Sequence, residues 1–368
     1  MSLEGALRVG LRLKAGRIDE VRIASSRPDV AQALLQRRTR AEVQAAVPLL
    51  FSICARSQAT ACALACAAAA GEPLQPAALE DARAEVAAEM VRESAWQTLL
   101  QWPRWMGEEP DTAAIRATRA AIAYRCDRSD RSDRSPDDAQ AREIAQAVFG
   151  CAADEWLKLD HWPALQAWAS AGRSAAARLV HKLEEACADH ATAPTPFLPA
   201  PAADWLRTLA IAAFDEPGFT QRPVCQGQVA QTGAWTRQHR ASLVGTAGPD
   251  APPLLARQLA RLRELALLLA GQWGPAVGTL VLGPGCALAW VDNARGLLIH
   301  LVQLDGQRVQ RLRIVAPTEW NFHPEGALAR ELRGAPAADA ASARQRATRL
   351  INSLDPCVAC HVEINDDA

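Results

Sequence analysis

Three observations predict a mostly helical α+β protein: alternating apolar residues near the N-terminus, long alanine- and leucine-rich stretches through the middle, and β-type runs before a last helix near the C-terminus. Leu7, Val9, Leu11 and Leu13 alternate with Arg8, Gly10, Arg12 and Lys14, the two-residue period of a strand with one wet face. Ala15 and Gly16 supply a turn, and 18–24 returns as a second strand, giving an N-terminal β-hairpin. Helical stretches follow at 29–37, 40–50, 54–70 and 76–101, then at 138–149, 153–170 and 172–189. Between them, Asp-Arg-Ser repeats over 127–135 have little to bury, so 127–138 is expected to be a flexible loop. Pro194, Pro196, Pro199 and Pro201 make 191–203 a non-helical, Pro-rich connection.

A helix at 252–272 carries Arg257, Arg261, Arg263 and Glu264, so it is expected to bury one face and not to cross a membrane. Strands at 286–292, 296–304 and 308–315 form a small β-meander, with Asp305-Gly306 as its last turn. A helix at 338–353 then delivers Asp355-Pro356-Cys357-Val358-Ala359-Cys360. The whole chain, 1–368, is expected to form a single domain.

A net charge of -1 with 22% charged residues argues against a nucleic-acid partner, which would call for a basic face. The start of the chain shows no basic-then-apolar signal segment, so the ten cysteines are expected to be reduced thiols in the cytoplasm. Cys357 and Cys360 follow a Pro-led turn closely enough to chelate one ion, although free cysteine is commonly buried and inert and a lone CxxC is a weak signal. Cys54 stands at a helix start, where the dipole favours thiolate. Cys62 and Cys66 share a helix face amid alanines and are expected simply to pack. His161, His181 and His190 have no ligand spacing to any cysteine.

Several segments, in order along the chain, resemble the large subunits of nickel-iron hydrogenases: Glu4-Gly5-Ala6-Leu7-Arg8, Ser52-Ile53-Cys54-Ala55-Arg56-Ser57, Thr232-Gly233-Ala234-Trp235-Thr236-Arg237, Ala294-Arg295-Gly296-Leu297-Leu298-Ile299-His300, Ala316-Pro317-Thr318-Glu319-Trp320-Asn321-Phe322 and the Asp355–Cys360 run. The region 102–200 has no counterpart. The resemblance implies that fold and a metal site in which four cysteines hold nickel and an iron bearing cyanide and carbon monoxide. The chain departs from the pattern. Ser57 replaces the second N-terminal cysteine, Val30 the proton-relaying glutamate, and Glu363 a histidine that binds magnesium, while Glu4, another ligand of that ion, is kept. Five residues follow Glu363, so the tail cleaved from hydrogenase precursors is expected to be missing.

This retained pocket without the equipment for turnover is similar to maturation scaffolds of the HupK/HoxV type. It implies a non-catalytic chaperone that binds the iron fragment transiently and passes it to the hydrogenase large subunit precursor, with maturation chaperones as further partners. On that reading Cys54, Cys357 and Cys360 are the metal ligands. Arg295 sets a fixed cation beside a cyanide nitrogen, and Thr318 with the backbone at Pro317 offers further donors. Nickel is not expected. Without the resemblance, Arg295 reads as a strand-edge surface charge and Thr318 as a turn residue. Trp320 and Phe322 read as core. The competing readings are a zinc site built from Cys54, Cys357, Cys360 and His361, a metal-free structural adaptor, and a working hydrogenase subunit, which would need four thiolates.

Overall fold

A computed structural model describes residues 5–26, 34–116, 118, 138–186, 195–246 and 252–366 of the chain. The expected flexible loop falls, but for Asp138, outside the described residues, as do Glu4, Val30, His190 and most of the stretch expected to be helical at 29–37. The architecture is the α+β arrangement expected, with the hairpin at one end of the chain and the meander near the other. The chain divides into two compact units, each assembled from separate stretches: residues 1–82, 193–233 and 276–368 in one, residues 83–192 and 234–275 in the other. The Pro-rich connection lies at one crossing between them, and its described residues are non-helical up to Ala203.

In the first unit, β1 (Ala6–Lys14) and β2 (Arg17–Ser25) pair antiparallel through a turn in which Ala15 and Gly16 both have positive φ. The inward residues Leu7, Val9, Leu11 and Leu13 are buried, as their alternation predicts. The hairpin does not stand alone. The C-terminal strand, Ala359–Asp366, lies parallel to β1 and completes a sheet ordered hairpin return, β1, C-terminal strand, with Leu7 opposite Cys360. Sequence reading passed over this strand because its polar, acidic composition hides the period.

The meander is one strand longer than its pattern suggests. β3 (Val277–Gly283) precedes β4 (Cys286–Asn293), β5 (Gly296–Asp305) and β6 (Arg308–Val315) in an antiparallel sheet. β3 contains two glycines and lies at an edge, so its signal is weak. Gly278 leaves room for Trp290, whose ring lies 2.3 Å from where a Cβ would stand. Two helices precede the sheet in sequence: α1 (Arg40–Leu50), opened by a Thr39/Glu42 capping box, and α2 (Ala55–Ala69), whose small residues let it pack closely across β4 and β5. Cys62 and Cys66 are wholly buried on α2, consistent with packing. They touch each other, which raises the Cys62 thiol and lowers that of Cys66.

The second unit is helical. α3 (Pro76–Trp96) enters it and runs into a π-helical turn at Gln97–Gln101 and then α4 (Trp102–Trp105). α5 (Asp138–Phe149) has the expected bounds, but the stretch 153–170 is two helices, α6 (Ala153–Trp156) and α7 (Trp162–Ala171). Pro163 explains the break: it is admitted in a first turn but not an interior one, and His161 caps that turn by accepting from the Ala164 amide at 3.2 Å. α8 (Ala175–Ala186) follows the left-handed Gly172.

Along α12 (Pro253–Leu269), reached after α9 (Ala203–Asp215), α10 (Ala234–Gln238) and α11 (Ser242–Thr246), the expected single buried face is instead almost complete burial. Its charges are accommodated by pairing: Arg237 grips Glu264 with Nε at 2.6 Å and Nη2 at 2.8 Å, and Arg257 lies 5.4 Å from the Trp235 ring centre. No helix among the described residues is long and apolar enough to cross a membrane.

Candidate functional site

Every candidate residue of the site lies in the first unit. Arg295 occupies the two-residue turn between β4 and β5, where Asn293 faces Gly296. The Asn293 side chain accepts from the Arg295 amide at 2.9 Å and from the Gly296 amide at 3.1 Å, which closes the turn. Gly296 has φ 137°, and a Cβ there would fall 2.4 Å from the Thr232 methyl, so only glycine fits. Thr232 in turn accepts from the Leu297 amide with its hydroxyl and donates its own amide to Asn321, both at 2.9 Å. Three separated segments are thereby locked together.

Asn321 ends α13 (Pro317–Asn321), whose first residue is Pro317, where the missing N–H costs nothing. Thr318, 2% exposed, sits next to it. After α14 (Ala327–Leu332), α15 (Ala340–Leu354) runs from an Asp339/Ser342 capping box to Asp355, which stops it in the left-handed conformation at φ 52°. The sequence expects a turn there, and the structure adds a charge role. The Asp355 carboxylate meets the Arg295 guanidinium, with Nη2 to Oδ1 and Nε to Oδ2 both at 3.4 Å. Arg295 is therefore no strand-edge surface charge: it and Asp355 are 7% and 5% exposed and form a buried ion pair.

Cys357 is buried, and the Thr318 hydroxyl contacts it at two atoms. The Thr318 hydroxyl lies 3.2 Å from the Cys357 sulfur and 3.4 Å from the Cys357 amide, from which it accepts. Thr318 thus holds a cysteine, where the resemblance suggested only a donor to cyanide.

Cys54 precedes the first residue of α2, but no side-chain cap is made there. Its sulfur accepts instead from the Gln58 amide nitrogen at 3.6 Å. The Gln58 oxygen lies 2.7 Å from Nε2 of His300, a wholly buried residue of β5. Burial without a countercharge pushes the His300 imidazole down to about 3, so the ring is neutral. Since the Gln58 oxygen can only accept, Nε2 carries the proton, and the unprotonated Nδ1 has no partner among the described residues. Ser57, one residue before Gln58, is also fully buried.

Cys360 lies on β7 (Ala359–Asp366) and is half-buried; desolvation pushes its thiol up to about 11. His361, the next residue, is exposed, because neighbours on a strand point to opposite faces. That alternation removes His361 from a shared site with Cys360, and with it the Cys3His zinc set. Among the described residues no three His, Cys, Asp or Glu side chains are gathered as a metal ion would require. The structure thus pairs Arg295 with Asp355 and Thr318 with Cys357, two residues after Asp355, and it joins Cys54, Gln58 and His300 in a separate cluster. It does not gather Cys54, Cys357 and Cys360 into one donor set. Sequence reasoning missed Asp355, Gln58 and His300; a lone histidine in the otherwise apolar run 297–302, buried on both faces, was the available signal.

Comparison with solved structures identifies the fold as that of nickel-iron(-selenium) hydrogenase large subunits. The reduced nickel-iron-selenium hydrogenase of Desulfomicrobium baculatum aligns with a TM-score of 0.60 over 94% of this chain and 95% of its own, at 13% identity, a likeness that shows fold alone. The family model for nickel-dependent hydrogenases matches residues 284–363, which span β4 to β6 and both C-terminal motifs. By sequence the chain is 34% identical over 365 residues to the hydrogenase expression/formation protein HoxV of Cupriavidus necator, covering 93% of this chain and 92% of that one. It is 30% identical over 378 residues to HupK of Bradyrhizobium diazoefficiens, covering 100% and 98%. The chain belongs to this HoxV/HupK family of hydrogenase expression/formation proteins.

Proposed function

We propose that the chain is a non-catalytic hydrogenase maturation factor, which takes up iron bearing cyanide and carbon monoxide on the thiolates of Cys54, Cys357 and Cys360 and passes it to the large subunit precursor. The observation that carries this reading is the hydrogen bonding of two cysteine sulfurs, Cys357 by Thr318 and Cys54 by Gln58, in a family whose members are named for hydrogenase formation. Backbone geometry does not require either contact. Thiolates suit low-spin iron with strong-field ligands. The Arg295 guanidinium supplies a buried cation to an anionic cargo, and Asp355 fixes its direction. Donors not gathered beforehand must be ordered as the cargo binds, which weakens the hold and suits a loan better than a permanent cofactor. Ser57 in place of a fourth thiolate argues against hydrogen turnover and stable nickel.

The test is infrared spectroscopy of the chain purified without oxygen after co-expression with the maturation machinery. Cyanide and carbonyl bands are expected, and Cys357→Ala and Cys360→Ala should each abolish them while Cys62→Ala leaves them intact. Zinc content without bands, or bands undiminished in both C-terminal variants, would overturn the reading. The ungathered donors favour one second reading, a metal-free adaptor that keeps the fold, and stoichiometric protein free of any metal would establish it.

A further inference from the structure

Gln58 is positioned to act on the cargo without touching it. Its amide has two ends, and each has a distinct partner: the oxygen takes the Nε2 proton of His300 at 2.7 Å, and the nitrogen donates to the Cys54 sulfur at 3.6 Å. With this orientation the ring proton sits on the bonded Nε2; a flipped amide would need it on Nδ1, which has no partner among the described residues, and would bury an unpaired N–H donor. Gln58 is itself 1% exposed, and the backbone has no use for its side chain: its own amide nitrogen is bonded to the Cys54 carbonyl at 3.0 Å. A glutamine of high entropy cost is thus held between a cysteine and a histidine 242 positions further on.

We propose that Gln58 is a positioning residue for Cys54: oriented by His300, it directs an N–H at the sulfur and thereby sets how strongly that thiolate donates electrons to bound iron. This rests on the proposed role of Cys54 as an iron ligand. A hydrogen bond to a ligand sulfur withdraws electron density from it, as such bonds do in other thiolate-bound iron centres. Less density then reaches the metal, back-donation into carbon monoxide falls, and the carbonyl stretch rises. Removing the bond reverses each step.

The experiment compares the carbonyl band of the full-length chain, loaded by co-expression and purified without oxygen, with that of Gln58→Met, which keeps the volume and removes both hydrogen bonds. The band should move to lower frequency in Gln58→Met. Gln58→Leu serves as a second variant should the methionine chain fail to fold. It likewise directs no N–H at the sulfur and adds no charge, so the same downward shift is expected. His300→Leu, which leaves the amide unanchored, should give a shift of the same sign and smaller size. A carbonyl band at the wild-type position in loaded Gln58→Met or Gln58→Leu overturns the role of Gln58 and leaves iron carriage standing. Absence of bands from the wild-type chain overturns both.

Discussion

Replacing His300 with glutamine should flatten the acid sensitivity of folding, and the structure sets the size of the effect. Burial depresses His300 from its ordinary 6.5 to about 3, so between those values the unfolded chain binds a proton that the native chain refuses. For a base whose folded value lies below its unfolded one, stability is complete above the unfolded value and drains as pH falls through the window. The linkage relation gives a loss of about 2 kcal/mol at pH 5 and about 3 kcal/mol at pH 4, towards a ceiling of roughly 5 kcal/mol. Glutamine can still donate to the Gln58 oxygen but does not titrate. Urea unfolding midpoints and slopes for both proteins at pH 7, 6 and 5 isolate the term, because every other group titrates alike in the two. Wild type should lose about 2 kcal/mol more than His300→Gln between pH 7 and 5. Equal losses would refute the reasoning, by showing that native His300 accepts a proton and hence that its Nδ1 is solvated or paired.

Two further perturbations address the clusters themselves. Arg295→Met strands the Asp355 carboxylate in the interior and should cost about 3–5 kcal/mol, whereas adding Asp355→Asn, which tolerates the left-handed conformation, should recover part of it; additive losses in a thermal double-mutant cycle would deny the pairing. Ser57→Cys supplies a fourth thiol three residues from Cys54, and if its tighter hold lies wholly in release, ~1.4 kcal/mol slows delivery about tenfold. Cells carrying only that variant should accumulate iron fragment on this chain and mature hydrogenase poorly, and normal maturation with unchanged loading would show that position 57 does not face the cargo.

The elements legible in the sequence are those whose burial has a period. β1 alternates cleanly because one face is wet, and α5 and β4 to β6 have close to their expected bounds. β3 and β7 escaped because glycine or charge blurs the alternation, and the single helix expected at 153–170 broke on Pro163, whose place in a first turn depends on His161 as cap. The candidate residues were legible only as separate motifs. Their pairing was not: Thr318 and Cys357 lie 39 positions apart, Arg295 and Asp355 60, and Gln58 and His300 242, and no local pattern encodes which distant side chains meet.

The contacts also sort the motifs by what each sustains. Gly296, Thr232, Asn321 and Asn293 form a lattice of backbone and amide bonds that fixes a turn and a helix end, so a chain would need them for the fold alone. Retaining them says little about cargo. Arg295 and Asp355 are intermediate, because a buried ion pair is rarely worth more than a well-packed apolar pair. Folding gains least from a hydroxyl turned on the Cys357 sulfur and an amide turned on the Cys54 sulfur, since sulfur is a weak acceptor until it is ionised or bound to metal. The polar attention given to these two sulfurs is therefore the part of the structure that stability explains worst and a thiolate-bound cargo explains best. It follows that Thr318→Val, nearly isosteric with threonine, should disturb stability less than Arg295→Met does, yet reduce retention of the iron fragment more than Asn293→Ala, which loosens the turn; infrared band intensity per folded chain in the reverse order would place the value of Thr318 in the fold and not in the cargo.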